Sequence, residues 1–421
     1  MDDHTNGRGF RGCYDRGSMT DSQHPTDSRF AAWRLLVAVT IMTVGASGMY
    51  MVPVALPAVQ ADFGVARGEA ALPYALLMLG FGFGGLIMGR LADRHGVMVP
   101  LLIGGTSLGL GFCLSALAPS LWAFSAAHGL LIGFAGSSAT FSPLVADTSL
   151  WWVKRRGIAV AICASGNYIG GAVWPPIINA SIERFGWRST YVGMGIFCGL
   201  AIVALALFMR ARPPHHSTAP AATHGRDHAR PFGLGIASAL VLLMIAGLAC
   251  CVAMSMPQVH IVAYCGDLGY GAARGAEMLS MMLGFGIVSR LVSGWLSDRI
   301  GGLRTLLLGS ALQGVALLLF LPFDGLVSLY VISALFGLFQ GGIVPSYAII
   351  VREHFPAART GALVGAVIMC TLFGMALGGW LSGAIFDVTG SYRAAFWNGI
   401  AWNALNLTIA FFLLRRTLVK N

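Results

Sequence analysis

The sequence GRLADRHG at residues 89–96 returns in altered form as GWLSDRIG at residues 294–301. Both copies have glycine at their first and last positions and an Asp-Arg pair between them. One such stretch is an ordinary turn. Two copies, 205 positions apart in a chain of 421 residues, instead indicate that the chain contains a duplicated unit.

Further matches extend the repeat along both halves of the chain. At an offset of 204 or 205 residues, Pro53 matches Pro257, Asp62-Phe63-Gly64 matches Asp267-Leu268-Gly269, Gly157 matches Gly361, Gly170 matches Gly374, Gly186 matches Gly390, and Arg188 matches Arg393. These residue types mark turns and helix ends, so one recurring shift predicts two units of the same topology.

The composition places both units in a membrane. The chain is 56% apolar and only 10% charged, whereas soluble chains average about 25% charged residues. Its mean hydropathy is +0.74. A soluble surface cannot be built from such a chain, which excludes a soluble enzyme or nucleic-acid module despite the net charge of +10.

Apolar stretches long enough to cross roughly 30 Å of hydrocarbon, about 20 helical residues each, recur along the chain. They predict twelve spans, at 33–57, 71–91, 98–118, 120–147, 157–181, 188–209, 232–265, 275–297, 303–321, 326–350, 360–386 and 392–414. The expected fold class is an all-α membrane protein with twelve transmembrane helices in two six-helix pseudo-repeats.

One long hydrophilic segment, residues 211–231, interrupts the spans and predicts a flexible linker. Residues 1–32 are polar and lack the apolar region of a cleavable signal, which predicts a disordered cytoplasmic tail. The predicted organisation is a tail at 1–32, a six-helix bundle at 33–210, a linker at 211–231, a second bundle at 232–416 and a tail at 417–421.

The basic residues predict the orientation in the membrane. Most of the 27 Lys and Arg residues fall in the even-numbered loops and the two tails. The opposite loops hold Arg67, Arg184, Arg188, Arg274 and Arg393. By the positive-inside rule, we expect a multi-pass protein of the plasma (inner) membrane with both termini in the cytoplasm.

The sequence predicts no enzyme activity, no cofactor and no metal site. Cysteines and histidines have no metal-ligand spacing, and no catalytic group of residues stands out. The stretch GFGFGG at residues 80–85 fits a dinucleotide-binding pattern, but it lies inside an apolar span with no strand before it. Close helix packing is the better interpretation of its glycines.

The two loop motifs resemble the signature of the major facilitator superfamily, and the resemblance covers residues 33–416. It implies the major facilitator fold, with transport by alternating access. It also implies a gating role for Gly89, Asp93, Arg94, Gly294, Asp298 and Arg299. A carboxylate in such a loop can accept N–H groups at the N-terminus of a facing helix, which would lock the cytoplasmic side when the halves close.

Three segments resemble the monocarboxylate porters and the bacterial oxalate:formate antiporters. They are HGLLIG at 128–133 followed by Pro143, WWVKRRGIA at 151–159, and MPQVH at 256–260 followed by GIVSR at 286–290. The last segment places His260 in span 7 and Arg290 in span 8, as in several members of that group.

The chain departs from the pattern of these families at several positions. Gly286 stands where the animal porters carry an acidic residue, and Phe141 stands where relatives often have tyrosine. Residues 361–386 contain no basic residue to match the second cation of the oxalate carriers. A single buried cation favours a monoanion over a dianion.

Arg290 is the strongest candidate for a substrate-binding residue. A guanidinium in mid-span is costly and usually marks a substrate or ion path. Its repeat partner is Gly85, so the scaffold does not require arginine there. The guanidinium fork binds a carboxylate through two parallel hydrogen bonds. The competing interpretation is a structural pairing with carbonyls or a carboxylate of a neighbouring helix.

His260 also replaces an aliphatic residue, Leu56, in the repeat, and a histidine near neutrality suits a proton acceptor. A hydrogen-bonded structural histidine is the alternative. The other predicted proton-coupling candidates are His128 and Asp147. The other predicted substrate contacts are Tyr50, Asn167, Tyr168, Gln258, Tyr347 and Phe141.

We therefore predict a secondary transporter that carries a small organic monocarboxylate, with proton symport as the favoured coupling and anion exchange or uniport as alternatives. The expected partners are this anion, a proton and the lipid bilayer, without nucleic acid, and we expect a monomer. The alternative functions are an exporter of amphipathic drugs or metabolites and a membrane sensor that transports nothing.

Overall fold

The computed structural model describes residues 26–212, 231–356 and 359–418. Every regular element in these ranges is helical, and twelve helices are long and apolar enough to cross a membrane. They are α1 Arg29–Phe63, α2 Arg67–His95, α3 Met98–Ala116, α4 Leu121–Trp151, α5 Arg156–Phe185, α6 Trp187–Met209, α7 Ile236–Asp267, α8 Ala272–Ile300, α9 Gly302–Leu319, α10 Leu326–His354, α11 Thr360–Thr389 and α12 Tyr392–Leu418. The predicted all-α class with twelve spans is confirmed.

The predicted tails and linker fall largely outside the described residues, which omit 1–25, 213–230 and 419–421. Helix α1 begins ahead of the predicted position 33, because the Ser28 side chain caps it by accepting the Ala31 N–H at 3.2 Å. Just before this cap, the Asp27 carboxylate accepts N–H groups of Val153 and Lys154. The chain that enters the membrane is thereby tied to the end of α4.

Three spans contain irregular backbone. Helix α1 consists of two helical pieces that adjoin at Ala46, and α10 is interrupted between Gln340 and Ile343. Helix α4 changes to a π-helix over Ala127–Ser137. A membrane interior tolerates such irregularity where protein or a cavity surrounds it. These helices are therefore suited to face the space between the two bundles.

The helices form two bundles, α1–α6 and α7–α12, that meet mainly along three pairs: α2 with α11, α5 with α8, and α1 with α7. The repeat is visible in the backbone as well. Gly96 and Gly301, which end α2 and α8, have φ of 82° and 84°, and the matched pair Gly186 and Gly390 has φ of 77° and 65°. L-residues with side chains disfavour this left-handed region, which explains glycine at both copies.

The two bundles are tightly packed on one face of the membrane only. We call the face that holds Arg29 and Leu418 the terminal face, and the other the opposite face. At the opposite face, a Cβ atom on Gly68 of α2 would lie 2.9 Å from the backbone nitrogen of Ala384 in α11. At the terminal face, a Cβ atom would meet no described residue within 4 Å at Gly89, Gly157, Gly294 or Gly361. In the described ranges, the hydrogen bonds that join the two bundles lie at the opposite face and at mid-span. The structure is therefore open toward the terminal face.

Candidate functional site

Arg290 lies on α8 where this helix packs against α5 of the other bundle. Its Nη1 donates to the carbonyl of Ala164 at 3.2 Å, and its Cζ lies 4.3 Å from the centre of the Tyr168 ring. Its Nε is buried, and it has no hydrogen-bond partner in the part of the chain that the structure describes. None of the ion pairs among the described residues involves Arg290. The cation is thus supported by a carbonyl and an aromatic face, without a neutralising carboxylate.

Gly286, one turn before Arg290, makes room for this arrangement. A Cβ atom at Gly286 would lie within van der Waals overlap of Cε1 and Cδ1 of Tyr168. The tyrosine ring therefore occupies the space that a side chain at position 286 would need.

Tyr50 of α1 joins these two residues. It is 6% exposed, and a Cβ atom on Gly171 of α5 would lie 2.6 Å from its Cζ. Gly171 lies one turn after Tyr168 on α5 and also meets Leu283 of α8, so the Tyr50 ring lies where α5 and α8 pack together. The structure thus brings together three of the predicted substrate contacts, Arg290, Tyr168 and Tyr50, from three helices and both bundles. We call these three residues the arginine cluster.

Asn167 and Phe141 lie at a second place, within the N-terminal bundle. They line a small cavity between α1, α2, α4 and α5 with a volume of about 10 Å³. Phe141 packs against Phe81 there, with ring centroids 5.8 Å apart. The position is next to the arginine cluster in sequence, because Asn167 precedes Tyr168 on α5.

Gln258 and Tyr347 belong to the C-terminal bundle. Gln258 donates from Nε2 to Oε1 of Gln340 at 2.9 Å, joining α7 to α10. The Tyr347 hydroxyl donates to Oδ1 of Asn406 at 2.8 Å, and its side chain is fully buried. The described hydrogen-bond partner of Tyr347 is Asn406 of α12, which is not a member of the arginine cluster.

His260 is fully buried and uses both ring nitrogens. Its Nε2 is 2.7 Å from the Gly379 carbonyl, and its Nδ1 is 3.0 Å from the Tyr392 hydroxyl. A carbonyl only accepts, so Nε2 carries the hydrogen and a neutral ring accepts at Nδ1 from Tyr392. The Tyr392 oxygen in turn accepts from Arg67 at 2.9 Å. His260 is therefore connected to the contacts that close the opposite face.

The other two proton-coupling candidates are engaged inside the N-terminal bundle. His128 is fully buried, with Nδ1 2.9 Å from the Phe124 carbonyl and Nε2 3.3 Å from the Tyr191 hydroxyl. Asp147 accepts two hydrogen bonds from Arg34, at 2.9 and 3.0 Å, and Arg34 is 3% exposed. This pairing was not predicted from the sequence, because Arg34 stands near the polar tail.

The contacts that close the opposite face were not predicted from the sequence. Arg67 at the start of α2 forms two hydrogen bonds with Asp267 of α7, at 2.7 and 3.2 Å. Asp387 of α11 accepts the backbone N–H groups of Arg67 and Gly68 at 2.8 and 2.7 Å. We call Arg67, Asp267, Asp387 and Tyr392 the opposite-face latch. A carboxylate at a helix N-terminus is favoured by both hydrogen bonding and the helix dipole.

The predicted gating residues lie on the open terminal face. Asp93, Arg94, Asp298, Arg299 and Gly294 are exposed, and Gly89 is half-buried. Within the described ranges, the carboxylates of Asp93 and Asp298 have no hydrogen bond or ion pair. Arg299 stacks on Trp295 of its own helix, with Cζ 4.0 Å from the ring centre. Their locking contact belongs to the closed state, so it stays a prediction.

Comparison with known proteins identifies the same architecture. The sequence pattern of the Major Facilitator Superfamily matches residues 37–328 and 278–421. Monocarboxylate transporter 13 of Rattus norvegicus is 29% identical over 316 residues, which cover 75% of this chain and 72% of that protein. The uncharacterized MFS-type transporter YcxA of Bacillus subtilis is 26% identical over 378 residues, covering 86% of this chain and 90% of that protein.

Solved structures share the fold at low sequence identity. A peptide transporter POT in complex with sulfate superposes with a TM-score of 0.72 and 12% identity, over 94% of this chain and 96% of that chain. A bacterial homologue of the human lysosomal transporter Spinster gives a TM-score of 0.71 and 13% identity, over 93% and 97%. At these identities, the similarity shows the arrangement of helices.

Proposed function

The chain belongs to the major facilitator superfamily, and from this premise we propose that it is a secondary active transporter of a small organic monocarboxylate. Transport would proceed by alternating access, with the two bundles closing one face of the membrane at a time. The favoured coupling is symport with a proton. The similarity to monocarboxylate transporters supports the substrate class.

The observation that carries this proposal is the uncompensated charge of Arg290 between the bundles. Arg290 is half-buried at mid-span, and a guanidinium there without a carboxylate is costly, so a purely structural role does not explain it. An incoming carboxylate would supply the missing anion. The Tyr168 ring covers one face of the guanidinium, so a substrate would approach at its edge, where two N–H groups can bind both oxygens of a carboxylate.

The same geometry favours a monoanion. Tyr168 and Tyr50 contribute hydroxyl and aromatic groups to the arginine cluster and no second positive charge. Helix α11 has no basic residue between 361 and 386. A substrate with one carboxylate and a short apolar or hydroxylated body would leave no second charge unpaired.

The orientation follows from the charge distribution. Most basic residues of the loops lie at the terminal face, so we assign this face to the cytoplasm of a plasma (inner) membrane. The structure then corresponds to the inward-open state. In this state, Asp93 and Asp298 are released from their proposed locking contacts, and the opposite-face latch holds the outer side closed.

The function is tested by binding and uptake with purified protein. A thermal-shift screen with lactate, pyruvate, oxalate, malonate and amphipathic amines identifies the ligand class, because binding to the native state raises the melting temperature. Uptake of labelled lactate or pyruvate into proteoliposomes then tests transport. We expect stabilisation by monocarboxylates. Stabilisation only by amphipathic amines would instead support the exporter, and binding without uptake or counterflow would support the sensor.

Arg290→Lys tests the anion site itself. Lysine keeps the charge but loses the planar fork, so we expect at least a tenfold loss of uptake at near-normal expression. Arg274→Lys, at an exposed ion pair on the same helix, is the control and should transport normally. Wild-type transport by Arg290→Ala would refute the proposed anion site.

A further inference from the structure

The repeat contains a matched ion-pair site in each bundle, and the two copies are used differently. In the N-terminal bundle, Arg188 of α6 pairs with Asp62 of α1 at 2.8 Å. The same guanidinium donates to the carbonyl of Ala116, also at 2.8 Å. All three residues belong to one bundle, so this pair does not depend on how the two bundles are arranged.

All three positions recur in the C-terminal bundle at an offset of 205 residues. They are Asp267 for Asp62, Arg393 for Arg188 and Leu321 for Ala116. Arg393 keeps the carbonyl contact, donating to Leu321 at 3.1 Å. Asp267, however, is bound by Arg67 of the other bundle through two hydrogen bonds. Among the residues that the structure describes, Arg393 has no ion pair with a carboxylate, whereas its repeat partner Arg188 does.

We propose that Asp267 exchanges arginines during transport, binding Arg67 when the opposite face is closed and Arg393 when it is open. Separation of the bundles at this face carries Arg67 away with α2. Asp267 and Arg393 remain together in the C-terminal bundle. They then form the pair that Asp62 and Arg188 already form in the N-terminal bundle.

The exchange explains how an ion pair can close the face without trapping the protein. Arg67 is 11% exposed and Asp267 is 37% exposed, so breaking their pair with no replacement would leave two partly desolvated charges. With Arg393 available, Asp267 has an arginine partner in both states. The carboxylate therefore contributes little to the free-energy difference between the states, as a two-state element requires.

The latch also differs from a simple surface salt bridge. The Arg67 guanidinium lies over the rings of Phe386 and Tyr392, with Cζ at 4.5 and 5.7 Å from their centres. Its Nε donates to Gln60 at 2.8 Å. These contacts hold the guanidinium in place. Loss of the Arg67 side chain should therefore destabilise specifically the state in which the opposite face is closed.

The experiment compares hydrogen–deuterium exchange of Arg67→Gln and Arg393→Gln, with both proteins full length and without substrate. Arg67→Gln removes the partner used in the closed state. Exchange should rise at the opposite-face ends of α2 and α11 and fall at the terminal-face ends of α2 and α8. Arg393→Gln keeps an amide donor for Leu321 but removes the partner used in the open state, so every one of these changes should reverse.

The matched control is Arg188→Gln, which breaks the equivalent pair inside one bundle. It should raise exchange only near Asp62, with no opposite change at the terminal face. Arg393→Lys keeps the positive charge and should restore the wild-type pattern in part. A melting curve for each variant checks that it is folded.

Two results would refute the proposed exchange of arginines. One is a change of deuterium uptake in the same direction for Arg67→Gln and Arg393→Gln, and the other is deuterium uptake in Arg393→Gln that equals the wild type. The inference rests on the alternating-access part of the proposed function and not on the substrate. If no carboxylate stabilised the protein, the exchange of arginines at Asp267 would be unaffected. If the exchange were refuted, the proposed substrate class would be unaffected.

Discussion

At the scale of single residues, the absence of a side chain at Gly286 determines the environment of Arg290. The glycine lets the Tyr168 ring lie against α8 and stack on the guanidinium. A cation–π contact lowers the cost of a buried cation without neutralising it. Arg290 can therefore be held in place and still have its charge available to an anion.

Gly286→Ala tests this arrangement directly. The added Cβ atom would overlap the Tyr168 ring, so the ring must move away from Arg290, and we expect uptake to fall at least fivefold. Gly284→Ala is the control on the same helix, because its Cβ atom would lie 3.8 Å from the Ala172 Cβ, an ordinary contact. Equal uptake by the two variants in proteoliposomes would contradict the role of Tyr168.

His260→Gln tests proton coupling. The Tyr392 hydroxyl already accepts a hydrogen bond from Arg67. Protonation of His260 would place a second donor against this hydroxyl. Protonation of His260 and closure of the opposite face therefore compete. If this histidine carries the proton, pH-driven uptake is lost in the variant, while counterflow of labelled substrate, which needs no net proton movement, survives.

Two other outcomes of the same measurement identify other roles. Loss of both activities would make His260 a substrate-binding group. Retention of both, with a modest fall in melting temperature, would make it a structural hydrogen-bonding residue. Tyr392→Phe is the companion variant, since it removes the hydroxyl but keeps the ring that packs against Phe386.

At the scale of helices, a buried ion pair connects the first and fourth spans of the N-terminal bundle. Arg34 and Asp147 are 3% and 7% exposed, and Arg34 also lies over the Trp151 ring, with Cζ 4.8 Å from its centre. Asp147 is thus held by two hydrogen bonds at the terminal-face end of α4. Its charge is compensated in a way that the charge of Arg290 is not.

Asp147→Asn should lower the free energy of unfolding by roughly 3 kcal/mol, because it leaves Arg34 buried without its anion. The double variant Arg34→Met with Asp147→Leu should recover most of this loss in thermal melts. The exposed pair Arg188 and Asp62 is the matched control, where the corresponding double variant should change stability by about 1 kcal/mol or less. Normal pH-driven uptake by the Arg34 and Asp147 double variant would exclude Asp147 as the proton carrier.

At the scale of the whole molecule, one set of carboxylate contacts closes the opposite face, and the sequence motifs predict a second set for the terminal face. Asp387 binds the N-terminus of α2 at the opposite face in this structure. The sequence motifs predict the same kind of contact for Asp93 and Asp298 at the terminal face, where both are now exposed. Because the bundles are packed closely at one face only, breaking one set of contacts accompanies formation of the other.

Asp93→Asn should slow turnover by about tenfold and leave substrate affinity nearly unchanged, because residue 93 lies far along α2 from the arginine cluster. Its melting temperature should stay close to wild type, since Asp93 has no partner to lose among the described residues. Asp324→Asn, in an exposed loop of the opposite face, is the control. Loss of affinity with normal counterflow rates would contradict the gating role.

The sequence by itself determined the membrane location, the twelve spans and the duplication, because hydropathy and the spacing of glycine, proline and charge are local properties of the chain. It also identified Arg290 as a candidate site residue, since a charged residue in the middle of a span can be recognised without knowing which residues contact it. The partners of a charge depend on which helices meet. Tyr168 above Arg290, Asp147 beside Arg34 and Asp267 beside Arg67 are separated from those arginines by more than 100 residues. Only the packing of helices brings these residues together, within the N-terminal bundle for Arg34 and Asp147 and between the two bundles for the other two pairs. It alone decided which arginine Asp267 binds.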